Sequence, residues 1–397
     1  MSRPDYDVIV VGGGINGVGV AQAAAAAGQR VLLLEKTALA AGTSSKSSKL
    51  VHGGLRYLES FEFGLVHESL QERELLLKNA PELVSLQSFL LPLYSYTRRG
   101  PLLLRTGLSL YWLLSGFSDD ASFATVPRGQ WGQLQGLLIN DLVRVFRYYD
   151  ARTDDAALTR AVMASAADFG AELKCPAELL HAEIHAEGCE LSYREGSAEH
   201  TVTGRVLVNA AGPWVNQVAE RVQTDLPRLP VELVQGSHIE VPGEAVGNNN
   251  EFFYLESPRD GRAVFVMPHE DRWVVGTTET RYRDNPDKVK PLSSEESYLL
   301  GVLKYYFPAY KKFERKDLLT SWAGLRVLPS GEGHAFHRSR ETILHTDDDV
   351  RPRFLSIYGG KLTTYRATAE KVCRKIAPSL PDKKPLADTR ELTLKPA

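Results

Sequence analysis

The sequence predicts an α/β protein in which a parallel β-α-β domain is interrupted by a mainly antiparallel β domain. The first indication is a β-α-β unit within the first 35 residues, where apolar runs at Asp7–Val11 and Arg30–Leu34 flank a helical stretch. Strand-to-helix junctions of the same kind return at 205–213 and at 354–363. Between these two, residues 231–280 contain four short alternating segments, which is typical of antiparallel strands. The parallel strands are therefore expected to come together from distant parts of the chain.

The first unit can be assigned directly. Asp7–Val11 is dominated by β-branched residues, as expected of a strand that is buried on both faces. Val20–Ala27 is rich in alanine, the strongest helix former, and Gly28 is suited to end this helix. Arg30–Leu34 then forms a second buried strand, with Glu35 at its end.

Further helices are predicted from the periodicity of apolar residues. They are expected at Glu62–Asn79, at Asp154–Ala171, at Ser294–Phe307 and from Thr363 to about Ala377. In the first of these, Leu65, Ser69, Arg73 and Leu76 share one face, and Glu72 and Glu74 are expected to face solvent. A shorter helix should begin at Pro213, because proline favours the first helical position.

This order of elements predicts two interleaved domains and a tail. The parallel, discontinuous domain is expected to comprise residues 1–84, 150–228 and 335–377. The mainly antiparallel domain is expected to comprise residues 85–149 and 229–334. Residues 378–397 are rich in proline and charge and are predicted to be a tail.

Composition excludes several classes of protein. The 397 residues include 47 Lys and Arg against 49 Asp and Glu, so the net charge of −2 argues against a nucleic-acid binder. Hydrophobic residues at 43% and charged residues at 24% exclude bulk disorder. The three cysteines form no CxxC pair and no metal-ligand spacing, which favours a reducing compartment and no metal site. A signal peptide is not visible either, so a cytoplasmic location is expected.

One apolar stretch approaches the length of a membrane segment. Residues Gly100–Phe117 carry a single charge, Arg105, and follow Arg98 and Arg99. The stretch is too short to cross a bilayer comfortably. Two interpretations stay open: an amphipathic helix at a membrane interface, or a helix packed into the core.

The glycine-rich turn predicts a dinucleotide site. Gly12, Gly14 and Gly17 form GxGxxG directly after a strand and at the start of a helix. In such a turn the first glycine permits the bend, the second lets the backbone approach a pyrophosphate, and the third allows close helix–strand packing. Glu35 is suited to accept hydrogen bonds from a ribose 2′-hydroxyl and would repel a 2′-phosphate, which disfavours NADP. FAD and NAD both remain open on these residues alone.

Five segments decide between the two cofactors. Residues 43–59 read TSSKSSKLVHGGLRYLE, and they are followed by VNAAGPWV at 208–215, GSHIEVP at 236–242, VVGTTET at 274–280 and YGGKLTTYR at 358–366. In sequence and order these segments closely resemble the FAD-dependent glycerol-3-phosphate dehydrogenases. The resemblance extends from residue 5 to about residue 377 and is weak between Ser118 and Val145.

The resemblance implies a specific fold and reaction. The expected fold is a glutathione-reductase-like FAD-binding Rossmann domain interleaved with an antiparallel-β substrate domain of the D-amino-acid-oxidase type. The expected reaction oxidises sn-glycerol 3-phosphate at C2 to dihydroxyacetone phosphate, with hydride passing to non-covalent FAD and electrons to a membrane quinone. The implied location is peripheral, on the inner face of the cell membrane, and a homodimer stays open.

One further departure and two alternatives accompany this assignment. Family members usually continue into a helical C-terminal domain, whereas this sequence stops at Ala397, so it is expected to be a C-terminally short member. An oxidase that uses O₂ is one alternative. Another is a related FAD enzyme that acts on a different phosphorylated polyol, a hydroxy acid or an amine.

Candidate substrate-binding residues follow from the motifs. A planar guanidinium donates two parallel hydrogen bonds to a phosphate, so arginine is the expected clamp. Arg326 matches the family's active-site arginine, and Arg340 is the candidate second arm, in competition with Arg338. The resemblance also implies that Arg56 and Tyr57 line the substrate pocket.

His238, His52 and Lys361 are the candidate catalytic residues beside Arg326. A neutral imidazole can accept the C2 hydroxyl proton, and which of the two histidines does so stays open. Lys361, at a strand-to-helix junction, is expected to stabilise negative charge near the flavin or to hold the substrate phosphate. Thr363 is expected to cap the following helix.

The cofactor is expected to contact the motif residues and their neighbours. The serines of the Ser-rich loop, with Ser47 among them, suit hydrogen bonds to pyrophosphate and flavin. The predicted cofactor-binding residues are Gly12, Gly14, Ile15, Asn16, Gly17, Glu35, Lys36, Thr43, Ser44, Ser45, Ser48, Lys49, Leu50, His52, Gly53, Gly54, Ala210, Ala211, Gly212, Trp214, Gly359, Gly360, Lys361, Leu362 and Thr363.

Overall fold

A computed structural model describes residues 3–134, 136–243, 251–269, 271–329 and 342–397. The helices of these residues are α1 Ile15–Ala26, α2 Phe63–Asn79, α3 Pro101–Leu114, α4 Asp155–Asp168, α5 Val215–Ala219, α6 Ser293–Tyr306 and α7 Tyr365–Ile376. The strands are β1 Tyr6–Val11, β2 Val31–Leu34, β3 Leu50–Val51, β4 Val84–Tyr94, β5 Phe123–Thr125, β6 Leu142–Thr153, β7 Glu172–Lys174, β8 Glu178–His185, β9 Gly188–Glu195, β10 Ala198–Asn209, β11 Val222–Gln223, β12 Val231–Pro242, β13 Phe252–Glu256, β14 Ala263–His269, β15 Arg272–Gly276, β16 Thr280–Tyr282, β17 Thr320–Pro329, β18 Ile343–Thr346 and β19 Phe354–Tyr358.

The first sheet has a parallel centre built from the ends of the chain. In the described residues it has nine strands, and β2, β1, β10 and β19 lie side by side in parallel. Val10 of β1 pairs with Leu33 on one side and with Val208 on the other, and all three are fully buried. A strand covered on both faces needs an apolar residue at every position, which is why these strands read as continuous apolar runs.

Three helices cover one face of this sheet. The alanines of α1 pack against α4 and α7, and Val20, Ala21 and Ala25 are at 0% exposure. Small side chains let helices and strands approach closely, so the alanine-rich composition of α1 is matched to its place between the sheet and two other helices. The predicted β-α-β unit is therefore confirmed.

The second sheet has ten strands in the described residues and is mostly antiparallel. Its long pairs are β4 with β6 and β12 with β17, and β12 also pairs with β15 and β16. Strands at 50–153 and 231–329 build this sheet, whereas the first sheet uses strands at 6–34, 172–223 and 343–358. The chain thus enters each sheet twice or more.

One residue of α2 that was predicted to face solvent is buried. Glu72, expected to face solvent, is only 4% exposed. Its carboxylate accepts a hydrogen bond from Nε of Arg366 in α7 at 2.8 Å. A buried carboxylate is stable only when it is paired, and here the partner lies 294 residues away along the chain, where helix periodicity cannot detect it.

The last twenty residues follow the surface of the first domain. Nζ of Lys383 lies 2.7 Å from Oδ2 of the buried Asp7, and Leu394 is only 4% exposed. The backbone N–H groups of Leu386 and Leu394 donate to carbonyls of Ala26 and Asn79. A segment that the sequence predicts to be a tail is therefore packed against α1 and α2.

Candidate functional site

A long cavity of about 670 Å³ opens where the parallel strands of the first sheet end. The wall takes residues from the carboxyl ends of β1, β2, β10 and β19, as well as from β17 of the second sheet. Ligands in α/β proteins bind at this edge, because the loops that follow parallel strands converge there. The cavity therefore lies between the two sheets at the position that the glycine motif predicts.

The glycine turn has the predicted geometry at two positions. Gly12 has a φ of +113°, which favours glycine, and a Cβ there would lie 2.7 Å from the carbonyl oxygen of Ala210. A Cβ at Gly17 would lie 1.9 Å from the carbonyl oxygen of Gly12, so only glycine lets α1 approach β1 this closely. At Gly14 the nearest atom is Oγ of Ser44, at 3.3 Å. Ser44 also accepts a hydrogen bond from the N–H of Ile15 at 2.9 Å.

The carboxylate of Glu35 is held rigidly at the end of β2. One oxygen accepts from the N–H of Gly13 at 2.7 Å and the other from the N–H of Thr37 at 2.7 Å. The residue is 9% exposed and lies on the cavity wall. A carboxylate fixed by two backbone donors keeps its remaining lone pairs directed, which suits the binding of a diol.

Three side chains from distant segments of the chain contact one another on the cavity wall. Oδ1 of Asp287 accepts hydrogen bonds from Nζ of Lys36 at 2.8 Å and from Nε1 of Trp214 at 3.0 Å. Nζ of Lys36 also lies 4.4 Å from the centre of the Trp214 ring, a cation–π contact. We call these three residues the Asp287 latch, because Asp287 belongs to the segment 286–291 that lines the cavity.

Cationic side chains also lie on the part of the wall that includes Tyr57. Arg326 and Lys361 lie on the cavity wall with Tyr57, and Nζ of Lys361 is 4.4 Å from the centre of the Tyr57 ring. Nη1 of Arg326 donates to Oε1 of Glu279 at 2.8 Å, and Nη2 of Arg56 lies 3.4 Å from the same oxygen. The predicted substrate residues Arg56, Tyr57, Arg326 and Lys361 are thus brought together, whereas Arg340 and Arg338 lie outside the described residues.

His238 lies behind the cavity wall, next to Trp322. Its Nε2 is 2.9 Å from Oγ of Ser48, and its ring stacks on Trp322, which does line the cavity. Complete burial, reinforced by the charges of Arg326 and Lys49, lowers the pKa of His238 to about 3. The imidazole is therefore neutral at pH 7, as expected, but it is a far weaker base than an ordinary histidine.

The backbone of His52 is hydrogen-bonded to Thr363, which lies between β19 and α7. Its N–H donates to Oγ1 of Thr363 at 3.2 Å, and the same hydroxyl lies 3.3 Å from its carbonyl oxygen. The expectation that Thr363 caps α7 is therefore wrong, because the N-cap residue is Thr364 and the Thr363 hydroxyl is used by His52 instead. Leu362 and Lys361, the preceding residues, lie on the cavity wall.

The Ser-rich loop is fixed by a buried acid. Asp155, at the start of α4, accepts from the N–H and the hydroxyl of Ser47 and lies 2.6 Å from Nζ of Lys49. The Asp155 side chain has no exposed surface, so these contacts satisfy a buried charge. The ammonium of Lys49, predicted to contact the cofactor, is directed to Asp155.

The two glycines after β19 show a close backbone approach. Gly359 and Gly360 have φ values of +87° and +109°. A Cβ at Gly360 would lie 2.2 Å from Nδ2 of Asn16, and this nitrogen donates to the carbonyl of Gly359 at 3.3 Å. The start of α1 and the segment that follows β19 are thus in direct contact at the cavity wall.

The cavity wall includes most of the predicted cofactor residues. Those on the wall are Gly12, Gly14, Ile15, Asn16, Glu35, Lys36, Thr43, Ser44, Ala210, Ala211, Gly212, Trp214, Gly359, Gly360, Lys361 and Leu362. Those set back from it are Gly17, Ser45, Ser48, Lys49, Leu50, His52, Gly53, Gly54 and Thr363, and of the other predicted site residues Arg56 and His238 are also set back. Most of the residues that are set back hold wall residues or their neighbours in place through the contacts described above.

Sequence reasoning missed several wall residues. Lys46 and Lys290 add cationic side chains, and Ala177, Leu179 and Arg221 form the end near Glu35. Lys46 lies inside the quoted motif at 43–59, so the motif itself carried that signal. The others lie in segments without any recognisable pattern, and only the fold brings them to the cavity.

The chain is similar to several known proteins over almost its whole length. Residues 7–366 match the family model DAO, described as FAD dependent oxidoreductase. A glycerol-3-phosphate dehydrogenase of Pseudomonas aeruginosa is 39% identical over 387 residues, covering 94% of this chain and 72% of the relative. A D-erythritol 1-phosphate dehydrogenase of Brucella abortus is 38% identical over 381 residues, covering 94% and 74%. The crystal structure of a glycerol-3-phosphate dehydrogenase from Bacillus halodurans complexed with FAD superposes with a TM-score of 0.75 at 26% identity, covering 99% of this chain and 68% of the other.

Proposed function

Because the chain belongs to the DAO family of FAD-dependent oxidoreductases, we propose that it oxidises sn-glycerol 3-phosphate at C2 to dihydroxyacetone phosphate, with a membrane quinone as the final electron acceptor. The observation that carries the proposal is the end of the cavity where Arg326 and Lys361 lie together on the wall beside Tyr57. Two cations in a partly enclosed cavity suit a small phosphorylated substrate.

The residues of the cavity fit FAD. A Cβ at Gly12 or Gly17 would collide with backbone oxygens, so glycine is required for the tight turn and for the close packing of α1 on β1, and Gly14 between them lies on the cavity wall where a pyrophosphate can approach the backbone. We infer that α1 holds the pyrophosphate, that Glu35 holds the ribose, and that the segment 359–362 contacts the ring system. When bound, FAD supplies the acceptor for the hydride that leaves C2.

We infer that Arg326 and Lys361 bind the substrate phosphate, with Arg56 and Tyr57 completing the pocket. Arg326 is anchored to Glu279 and to the carbonyl of Thr278, so its guanidinium plane is set before any ligand arrives. Lys361 and the nearby N-terminus of α7 also add positive potential, which stabilises negative charge that develops at this end. Arg340 remains the proposed second arm.

We propose His52 as the base that accepts the C2 hydroxyl proton, and His238 as a positioning residue. Burial makes the His238 imidazole a weak base, with a pKa of about 3, and its Nε2 is engaged by Ser48. The backbone of His52 bonds to Thr363, next to the segment that contributes Lys361 to the wall, and His52 is only partly buried, unlike His238. If His52 is the base, His52→Gln should flatten the pH dependence of the rate of flavin reduction, whereas His238→Gln should retain its shape.

Anaerobic reduction tests the substrate. The purified protein should be yellow, and glycerol 3-phosphate should bleach the flavin absorbance at about 450 nm. Erythritol 1-phosphate is the essential comparison, because a relative named for that substrate is as similar as those named for glycerol 3-phosphate. A higher kcat/KM for glycerol 3-phosphate than for erythritol 1-phosphate supports the proposal. A higher kcat/KM for erythritol 1-phosphate would assign that compound as the substrate instead.

A second assay tests the acceptor. The reduced protein should be reoxidised faster by a soluble quinone analogue than by dissolved O₂ at equal concentration. Faster reoxidation by O₂, with stoichiometric hydrogen peroxide, would make the protein an oxidase and overturn the quinone assignment.

We also propose peripheral contact with the inner face of the cell membrane through α3. Leu108 and Tyr111 of this helix are buried, whereas Leu102 is 80% and Leu103 is 62% exposed. Phe61 at 77% and Phe117 at 56% are also exposed, which supports a membrane-facing patch. Within the described residues, every helix is too short or too polar to span a bilayer.

Sedimentation with vesicles tests this contact. The double variant Leu102→Gln, Leu103→Gln should lose most of its binding to vesicles that contain anionic lipid, because about 2 kcal/mol or more of apolar transfer energy is removed. Leu386→Gln is the matched control, since Leu386 is 61% exposed on the C-terminal segment. Equal binding by the wild type and the double variant would rule out α3 as the contact.

A further inference from the structure

We propose that Glu279 is a positioning residue that holds Arg326 and Arg56 in the arrangement that receives the substrate phosphate, an inference that rests on the proposed function. Sequence patterns assigned Glu279 no role, although it lies inside the quoted motif at 274–280. It follows β15 in the turn that leads to β16.

The carboxylate of Glu279 contacts both arginines through one oxygen. Its Oε1 lies 2.8 Å from Nη1 of Arg326 and 3.4 Å from Nη2 of Arg56. The Glu279 side chain is 8% exposed, against 26% for Arg326 and 21% for Arg56. The acid is thus the most deeply buried member of the three, and the arginines lie on the more open side.

The two arginines come from different parts of the fold. Arg326 is on β17 of the second sheet, whereas Arg56 lies in the 3₁₀ turn 55–60 that follows the Ser-rich loop. Like charges held close together repel each other, so two guanidinium groups beside one cavity need a shared counter-charge. Glu279 supplies that charge and links the substrate-binding sheet to the loop next to the cofactor.

Arg326 is anchored at a second point as well. Its Nη2 donates to the carbonyl of Thr278 at 3.0 Å, while Nη1 donates to Glu279. Anchoring a planar guanidinium through two nitrogens fixes its plane. Gly236 makes room for this orientation, because a Cβ there would lie 2.6 Å from Nη2 of Arg326.

The turn that carries Glu279 is itself held from behind. The hydroxyl of Thr278 donates to Glu295 at 2.7 Å and accepts from the N–H of Ser237 at 2.8 Å. Glu295 is 4% exposed and also accepts from the hydroxyl of Ser237 at 2.6 Å. The carbonyl of Glu279 accepts from Nη1 of Arg262 at 3.2 Å. A carboxylate on a turn with this many fixed contacts is suited to orient other side chains.

The consequence is that the arginines are ordered before substrate binds. Removing Glu279 leaves both arginines charged and able to adopt other orientations, so ordering them becomes part of the cost of binding. Affinity for the phosphate should then fall, while the chemical step in the bound complex changes little.

The test compares Glu279→Ala and Glu279→Gln with the wild type as FAD-loaded proteins. The measured quantities are KM and kcat for glycerol 3-phosphate, and the Kd of inorganic phosphate from its perturbation of the flavin spectrum. We expect Glu279→Ala to raise KM and Kd by about tenfold and Glu279→Gln, which keeps an acceptor, by about threefold, with kcat within about twofold. If Glu279→Ala folds poorly, the Gln variant and its smaller shift carry the test.

Glu251→Gln is the matched control. Its carboxylate also pairs with an arginine, Nε of Arg147 at 2.7 Å, and is 15% exposed, but neither residue lines the cavity. A merely structural role of Glu279 would lower the melting temperature and FAD content without moving the phosphate Kd.

Two results would overturn the inference. The first is a lower KM or Kd in the variants, which would make Glu279 a competitor of the phosphate. The second is a Kd equal to that of the wild type, with or without a fall in kcat. If glycerol 3-phosphate fails to reduce the wild type, the proposed function fails, but the Kd series with inorganic phosphate still decides the role of Glu279.

Discussion

The glycine turn allows the sharpest prediction, for Gly17→Ala. The added Cβ would lie 1.9 Å from the carbonyl oxygen of Gly12. Carbon and oxygen atoms that are not bonded normally stay more than about 3 Å apart, so α1 or the turn must move by about 1 Å. Overpacking of this kind costs about 3 kcal/mol, which is more than the gain of up to about 1 kcal/mol that alanine brings to a helix interior. Because the displaced atoms belong to the pyrophosphate cradle, we expect FAD affinity to fall by about 100-fold, equivalent to about 2.7 kcal/mol.

The assay is titration of the apoprotein with FAD, followed by quenching of flavin fluorescence, with a thermal melt of the same sample. Gly107→Ala is the control, because Gly107 lies in α3 and a Cβ there would meet no heavy atom within 4 Å beyond its own helix backbone and chain neighbours. This control should keep full FAD affinity and gain stability slightly. A Gly17→Ala protein with the FAD affinity and melting temperature of the wild type would refute the reasoning.

Arg326, Asp287 and His238 give three further predictions. Arg326→Ala should lower kcat/KM for glycerol 3-phosphate by at least about tenfold, as expected for one charged hydrogen-bond clamp, and an unchanged value would remove Arg326 from the site. Asp287→Asn should speed FAD dissociation about threefold, because the Asp287 latch is exposed and contributes about 1 kcal/mol at most. The control is Glu68→Gln, which breaks the ion pair with Lys371 and should leave the rate of FAD dissociation unchanged. In the folded state the pKa of His238 is about 3, whereas in the unfolded chain the imidazole takes up a proton near pH 6.5. Protonation therefore stabilises the unfolded state, and the free energy of unfolding decreases, as the pH falls below about 6.5. His238→Gln should therefore reduce the loss of unfolding free energy between pH 6.5 and pH 5 by up to about 1.4 kcal/mol per pH unit, as measured by denaturant titration.

Local patterns predicted the fold well because its centre is made of local units. The run of β-branched residues, the glycines and the alanine-rich helix of residues 7–34 each report their own conformation, and together they form one β-α-β unit. The error at Glu72 shows the limit of such patterns. Helix periodicity assigns a face by residue type, but a charged residue can be buried when a distant arginine pairs with it, and Arg366 does so.

The candidate site likewise has residues that local patterns predicted and contacts that they did not. Gly12, Gly17 and Glu35 were predicted because a phosphate-binding turn needs them at fixed spacing within one unit. Lys36 and Trp214 were also predicted as site residues, but their contacts with Asp287 were not, because the three residues lie far apart in sequence and Asp287 belongs to no motif. His238 was predicted from its motif, but a strand position does not reveal how deeply a side chain is buried or that Ser48 will engage its Nε2.

The sequence by itself determined the class of fold and the position of the dinucleotide turn. These depend on backbone periodicity, on the conformational freedom of glycine and on side-chain chemistry, all of which are properties of short segments. Only the tertiary structure decided that Glu279 pairs with both Arg326 and Arg56, that Trp322 rather than His238 lines the cavity, and that the last twenty residues pack against the first domain. Each of these contacts depends on which distant segments meet and on how completely water is excluded between them. Neither can be determined from a single segment of the sequence.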